Sequence, residues 1–460
     1  MSTTPPKTIV IVGGGFSGTA TAIHLLRQAG NKAIRLIIIE RAPEVGRGLA
    51  YAKTTYPYIL NVPASRMSAT SSDPDEFLRF ARSVDPAARA DDFLPRSLYG
   101  DYLMHCLSDA IAGAPPQVTV EHRHGDLVDV VPQPNLRLKA VVSTGGEIEA
   151  DDVVLALGNP PPRRLPGEAR MHEAMALPGA RGLAATTDGA QLPILIVGTG
   201  LSMADIVCEA VHRHPDVRIH AISRHGLVPP SQTVFVQNAV HDAAGRLNAA
   251  RGSIARIVAE VRSLVTEAAR SGSDWREVIT HVRHAAPGLW QSLPQPERRR
   301  FLRHVKSYWD VHRHRLPALV RSRIEALRGS GQLIVHAGRV VELVVGETST
   351  RATWVNRGTG ELEILDVATV FNCTGPDYNL TQTTDPLWQA LRARGLVWID
   401  ELGLGLRTGP SCEVVPAAGF GNPGLYYIGP MLRADHWEAT AVGELRAFAE
   451  RIARHLTSGP

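Results

Sequence analysis

Cysteine is scarce in this 460-residue chain: Cys106, Cys208, Cys373 and Cys412 stand far apart and form no C-x-x-C pair. That excludes the two-thiol relay of flavin disulfide reductases and any metal site built on cysteine spacing. The eighteen histidines include no H-E-x-x-H and no cysteine partner at finger spacing, so no metal is expected. Long apolar runs are missing too. The first, Ile9 to Val12, follows a polar, proline-bearing start and is too short for a signal-peptide core or a membrane span. A cytoplasmic protein without membrane attachment is expected. The formal charge of +4 is too small to argue for nucleic acid without a patterned patch.

What the chain does have is glycine in two particular places. The first is Gly13-Gly14-Gly15-Phe16-Ser17-Gly18, between the apolar run Ile9–Val12 and a helical stretch from Thr19 to Ala29. Gly13 permits a tight turn, Gly15 lets backbone approach a pyrophosphate, and Gly18 lets the helix pack closely on the strand. The exposed N–H groups at a helix start carry roughly +0.5 charge, so no basic side chain is needed to hold the phosphates. The next apolar run, Leu36 to Ile39, ends in Glu40 and Arg41. A carboxylate there accepts both hydroxyls of an unphosphorylated adenosine ribose, which suits FAD.

The second place is Gly198-Thr199-Gly200-Leu201-Ser202-Met203-Ala204-Asp205, after Ile194–Val197. Met203 stands where a third glycine would be, and the following apolar run ends in Ser223-Arg224-His225 with no acid. A hydroxyl beside a guanidinium suits a 2′-phosphate and favours NADPH over NADH, although an arginine can also stack on adenine. Gly200 to Ala204 also imitates a nucleophile elbow around Ser202. A hydrolase reading leaves Gly198 unexplained.

An internal similarity organises the remainder. Thr144 to Gly158 and Gly358 to Gly375 each read as a hairpin turn feeding an apolar strand that stops at a glycine. The expected fold is α/β, with two Rossmann-like dinucleotide domains of the glutathione-reductase and flavin-monooxygenase kind and a helical insertion. The expected FAD domain is residues 1–165 and 333–460, and the expected NAD(P)H domain is 185–332, with the insertion at about 240–330. Near the C-terminus, Leu425 to Gly429-Pro430 reads as a strand and its turn. A helix starting near Thr440 and Ala441 would point its positive end at the flavin.

The second glycine turn resembles the nicotinamide motif of flavin-containing monooxygenases. Their F-x-G-x-x-x-H fingerprint has no match between Arg163 and Gln191. The chain is more similar to a bacterial family of FAD/NAD(P)-binding flavoprotein monooxygenases. That likeness runs through Glu40-Arg41, Gly46-Arg47-Gly48-Leu49-Ala50-Tyr51, Leu60 to Ala64, Pro95 to Gly100, Trp309 with His312 to Arg315, and Trp437 to Arg446. One member type is an FAD-dependent urate hydroxylase. The resemblance implies FAD, NADPH or NADH, and oxygen, with a flavin hydroperoxide giving one oxygen atom to the substrate. Urate going to 5-hydroxyisourate, a step of purine degradation, is the leading substrate. The alternatives are N-oxygenation of an amino acid or amine, and electron transfer to a protein acceptor.

Two further candidates are catalytic. Asn61, in the loop up to Ser68, is placed to meet flavin or to cap a turn. Between Glu297 and Leu316 seven arginines and lysines crowd with three histidines, interleaved with Phe301, Tyr308 and Trp309 and preceded by Trp290. Such a cluster favours a small planar anion stacked on an aromatic wall, with Arg313 as its ligand, or else is a solvated basic face.

Overall fold

The computed structural model describes residues 5–167, 172–173, 192–233, 242–417 and 424–458. The chain divides into two compact units, one of residues 1–53, 62–160 and 378–460, the other of 54–61 and 161–377.

The first unit opens with β1 (Lys7–Val12), α1 (Phe16–Gln28) and β2 (Ile34–Glu40). Ile9, Val10, Ile11, Leu36 and Ile37 are fully buried. Parallel strands covered on both faces need such unbroken apolar runs rather than alternation. There follow α2 (Glu76–Val84), α3 (Arg96–Ala112), β3 (Val118–His124), the antiparallel meander β4 (Leu127–Pro132), β5 (Leu138–Val142) and β6 (Glu147–Ala150), then β7 (Asp152–Leu155).

The second unit repeats the plan. It contains β8 (His172–Glu173), then β9 (Ile194–Val197), α4 (Leu201–Arg213) and β10 (Ile219–Ser223). Helices α5 (Ala243–Ala249), α6 (Ile254–Arg270), α7 (Trp275–Ser292), α8 (Gln295–His304), α9 (Lys306–Arg313) and α10 (Ala318–Gly329) come next. Because α10 packs on α4 and leads into the next strand, it is the crossover helix, and α5–α9 are the insertion. The meander β11 (Leu333–Val345), β12 (Thr350–Asn356), β13 (Leu362–Val367) precedes β14 (Thr369–Asn372). The chain then returns to the first unit with α11 (Pro386–Ala393), β15 (Leu425–Tyr427) and α12 (Val442–Thr457).

The two sheets run β15-β7-β1-β2-β3 and β13-β12-β11-β10-β9-β14-β8. Without β12 and β13 the second order matches the first, with β9 in the place of β1, β10 of β2, β11 of β3 and β14 of β7. Each strand-to-glycine segment ends at a boundary between units, at 160 and at 377. The expected return to the first domain at residue 333 is corrected. Leu333 to Ala337 of β11 pair in parallel with Ile219 to Ser223 of β10, so residues 333–377 belong to the second unit. No described helix is long and apolar enough to cross a membrane, and no described cluster of His, Cys, Asp and Glu could hold a metal ion.

The pairing of β10 with β11 stacks two imidazoles, His220 Nδ1 lying 2.9 Å from His336 Nε2. Burial, then the His336 and Arg218 charges, push the His220 pKa down to about 4, and burial lowers His336 as well. An unfolded histidine titrates near 6.5. Between there and about 4 the unfolded chain binds a proton that the folded one does not, so stability is whole above the upper limit and falls as pH drops through the window. We expect the thermal midpoint to fall steadily through that window, and His220→Gln to flatten the slope in a melting series.

Candidate dinucleotide-binding sites

In the first unit the turn after β1 is fixed by backbone. Gly13 N–H donates to the Ile39 carbonyl at 2.8 Å. Gly13 has φ +101°, and a Cβ on it would overlap the Ala156 carbonyl oxygen just past β7. Only glycine satisfies both demands. A Cβ on Gly18 would overlap the Gly13 carbonyl, which is why α1 can lie so close to the turn. Phe16 and Ser17 open α1 and are buried, and Phe16 stacks toward Tyr99 with ring centres 6.3 Å apart. Gly15 caps the helix without any side-chain hydrogen bond, so the first-turn N–H groups have no side-chain cap.

Glu40 is buried, and both its oxygens accept from backbone: Gly14 N–H at 2.5 Å and Ala42 N–H at 2.8 Å. Lone pairs remain for ribose hydroxyls, and the carboxylate is held rigidly at the end of β2. Arg41 points elsewhere, to Asp126 at 2.8 Å, and is largely exposed. The motif Gly46-Arg47-Gly48 packs this loop down: Gly46 N–H donates to the Gly14 carbonyl at 2.7 Å, and buried Arg47 pairs with Glu44 and Asp101. One residue of this unit carries no local sequence signal of its burial. Tyr99, on α3, is fully buried with its hydroxyl unpartnered among the described residues. Its place in Pro95 to Gly100 was visible, but nothing local marks a tyrosine as buried.

At the C-terminal end Gly429 has φ +147° before the one-turn helix at Pro430, and Ile428 N–H reaches back to the Leu155 carbonyl at 2.9 Å. Thr440 and Ala441 lie at the start of α12, with Ala441 as a cap that makes no side-chain hydrogen bond.

The second unit matches atom for atom at the turn. Gly198 N–H donates to the Ile222 carbonyl at 2.7 Å, φ is +116°, and a Cβ would overlap the Cys373 carbonyl oxygen, the counterpart of Ala156. Gly200 caps α4 without a side-chain bond and faces open space, while Ser202 lies half-buried in the first turn. Met203 takes the place of Gly18 and is fully buried in the core under α4.

Ser223 is the counterpart of Glu40 and Arg224 of Arg41. The expectation that the Ser223 hydroxyl is offered to a phosphate is corrected. Ser223 Oγ lies 2.8 Å from the Thr199 hydroxyl and accepts from Gly226 N–H at 3.1 Å. Ser223 also brings no negative charge to the end of β10. Arg224 is exposed, with Nη2 3.3 Å from Ser307 Oγ.

Asn61 and Arg313 fare differently. The loop Asn61 to Ser68 is not one piece, since Asn61 closes the segment 54–61 of the second unit while residues 62–68 belong to the first. The Asn61 side chain makes no hydrogen bond among the described residues, so it caps no turn. Arg313 ends α9, half-buried and partnered. The expected aromatic wall is corrected for two of its four rings, Trp290 and Phe301, while Tyr308 is exposed. Trp290 and Phe301 are buried against each other, ring centres 5.8 Å apart, and Arg298 covers the indole, so these rings fill the helical core. Hydrophobic and ligand-stacking aromatics share one sequence pattern.

The cysteines are all free and buried. Burial pushes the Cys106 and Cys412 thiols up to about 12 and raises Cys208 and Cys373 as well, which leaves no thiolate for redox exchange.

Residues 10–160 match the family model described as FAD-NAD(P)-binding. No curated protein matches the chain. Among solved structures, the reduced ornithine hydroxylase of Pseudomonas aeruginosa is similar at TM-score 0.64 and 15% identity, covering 99% of both chains. The ornithine N-hydroxylase of Kutzneria sp. 744, with reduced FAD, NADP+ and L-ornithine, is similar at 0.63 and 17%, covering 98% of this chain and 99% of that one. The FAD-bound cadaverine monooxygenase of Erwinia amylovora is similar at 0.65 and 12%, covering 99% of this chain and 95% of that one. The α/β architecture of two Rossmann-like units is shared with these proteins from end to end.

Proposed function

We propose that this chain is an FAD-dependent, NAD(P)H-consuming monooxygenase that hydroxylates a primary amine of an amino acid or small diamine. The observation that carries this reading is the repeated turn geometry, with a carboxylate at the end of β2 and none at the end of β10. It supports FAD in the first unit and a reduced nicotinamide nucleotide in the second. The residues fit such groups: two helix starts lack side-chain caps, Gly200 leaves room where a Cβ would stand, and the Tyr99 hydroxyl is buried unpartnered near Phe16.

When bound, the flavin would take hydride from NAD(P)H and activate oxygen. The balance is amine, O2, NAD(P)H and a proton giving hydroxylamine, water and NAD(P)+. In this reading Gly13 to Gly18 and the start of α1 hold the flavin's pyrophosphate, Glu40 its ribose, and Gly429 with the start of α12 the remainder. Gly198 to Ser202 hold the nicotinamide nucleotide's pyrophosphate. With every thiol buried, electron flow to a disulfide has no support.

Amine over urate is favoured by the full-length likeness to ornithine and cadaverine hydroxylases. The test is NADPH oxidation with L-ornithine, L-lysine, cadaverine and urate, with oxygen uptake and hydroxylamine measured together. One amine is expected to stimulate turnover about tenfold or more, with hydroxylamine matching oxygen consumed. Stimulation by urate alone, or purified protein that stays colourless after FAD is added, would overturn it.

A further inference from the structure

Ala337 and Gly338 are neighbours on β11 that pair to opposite sides, Ala337 with Ser223 of β10 and Gly338 with Asn356 of β12. This register puts Arg224 and Arg357, which follow Ser223 and Asn356, on either side of the same point of β11. The contact is direct. Arg357 Nη1 donates to the Arg224 carbonyl at 3.1 Å, and Arg357 N–H donates to the Ala337 carbonyl at 2.9 Å. The hairpin that carries Arg357 is braced by Asn356 Oδ1, which accepts from Gly358 and Thr359 N–H at 2.7 and 3.3 Å.

Both arginines are exposed, and among the described residues neither has a carboxylate partner. His225 joins them; burial and then the Arg357 and Arg224 charges lower its pKa. Other exposed arginines of this unit are paired, as Arg351 is with Asp366, or stand singly, as Arg339 does; here two lie together. Two arginines joined through the backbone of one of them, and without a counter-charge, offer a site for a dianion. The position is specific, because β10 ends here in Ser223, where the matching strand of the first unit ends in ribose-reading Glu40.

We infer that Arg357, reaching in from the β12–β13 hairpin, clamps the 2′-phosphate of NADPH together with Arg224 and is a specificity-determining residue for the nucleotide. This rests on the assignment of the second unit to a nicotinamide nucleotide. Ser223 serves the clamp by carrying no charge, and Ser307 steadies Arg224.

The test is calorimetric titration of the full-length, FAD-loaded protein with 2′-phospho-ADP-ribose and with ADP-ribose, for wild type, Arg357→Ala, Arg357→Lys and Arg224→Ala. Wild type is expected to prefer the phosphorylated ligand by about 100-fold. Arg357→Ala should lose about tenfold in affinity for that ligand alone, with Arg357→Lys in between. Equal weakening of both ligands by Arg357→Ala would reduce Arg357 to a loop support and overturn the inference. So would equal affinity of the wild type for the two ligands, although the nucleotide site itself would stand. A wild type that binds neither ligand would remove the underlying assignment as well.

Discussion

Gly198→Ala is expected to purify yellow and yet to oxidise NADPH with kcat/KM lowered about 100-fold or more, whereas Gly13→Ala is expected to purify without flavin. Both glycines hold positive φ, where an alanine costs about 1–2 kcal/mol before any clash. In each the added carbon meets backbone, the carbonyl of Cys373 or of Ala156. A side chain could swing aside, but these carbonyls lie just past β14 and β7, next to strands that are themselves hydrogen-bonded to β9 and β1. The turn must therefore shift, and the N–H groups at the start of α4 or α1 shift with it. The damage is local to one unit, so the two variants separate the two nucleotides. Visible absorbance after desalting and steady-state NADPH oxidation with added FAD measure both effects. If Gly198→Ala lost flavin and kept NADPH use, the assignments of the two units would be exchanged.

What could be read in the sequence was local. Strand, glycine turn, helix and the acid at Glu40 are all set by neighbours along the chain, and each lies where its spacing placed it. The recurrence of Thr144–Gly158 in Gly358–Gly375 likewise marked β7 and β14, because apolar strand ends followed by glycine need no distant partner to be recognised. What failed depended on distant pairing. Residues 333–355 read correctly as β-rich, but nothing in them says that β11 lies beside β10, and the domain limit and the position of Arg357 both hang on that ladder. The same holds for Trp290 and Phe301, whose apolar spacing suits a core as well as a ligand. The missing acid at Ser223 is legible in the sequence, whereas the commitment of its hydroxyl to Thr199 and Gly226 depends on a loop packed against it.

The second large effect concerns a buried charge that no local motif marks. Glu209, on α4, is wholly buried, and its carboxylate is held by Arg213 Nε at 2.9 Å and Nη2 at 2.8 Å and by the Tyr58 hydroxyl. Tyr58 comes from the segment 54–61, and Arg213 also reaches Thr55 Oγ1 at 2.8 Å, so one ion pair fastens that strap to the helix behind the second glycine turn. Arg213→Met removes the counter-charge and leaves a carboxylate in an apolar interior, which costs about 3 kcal/mol. For a unit of this size the melting transition should fall by roughly 6–10 °C. Glu209→Gln should cost less, because a neutral amide still accepts from Tyr58. The double variant should recover part of the loss, since the penalty belongs to the unpaired charge and not to the missing contact. A double-mutant cycle followed by thermal unfolding measures this directly. Simple additivity of the two single losses would show that the pair contributes nothing beyond its separate side chains.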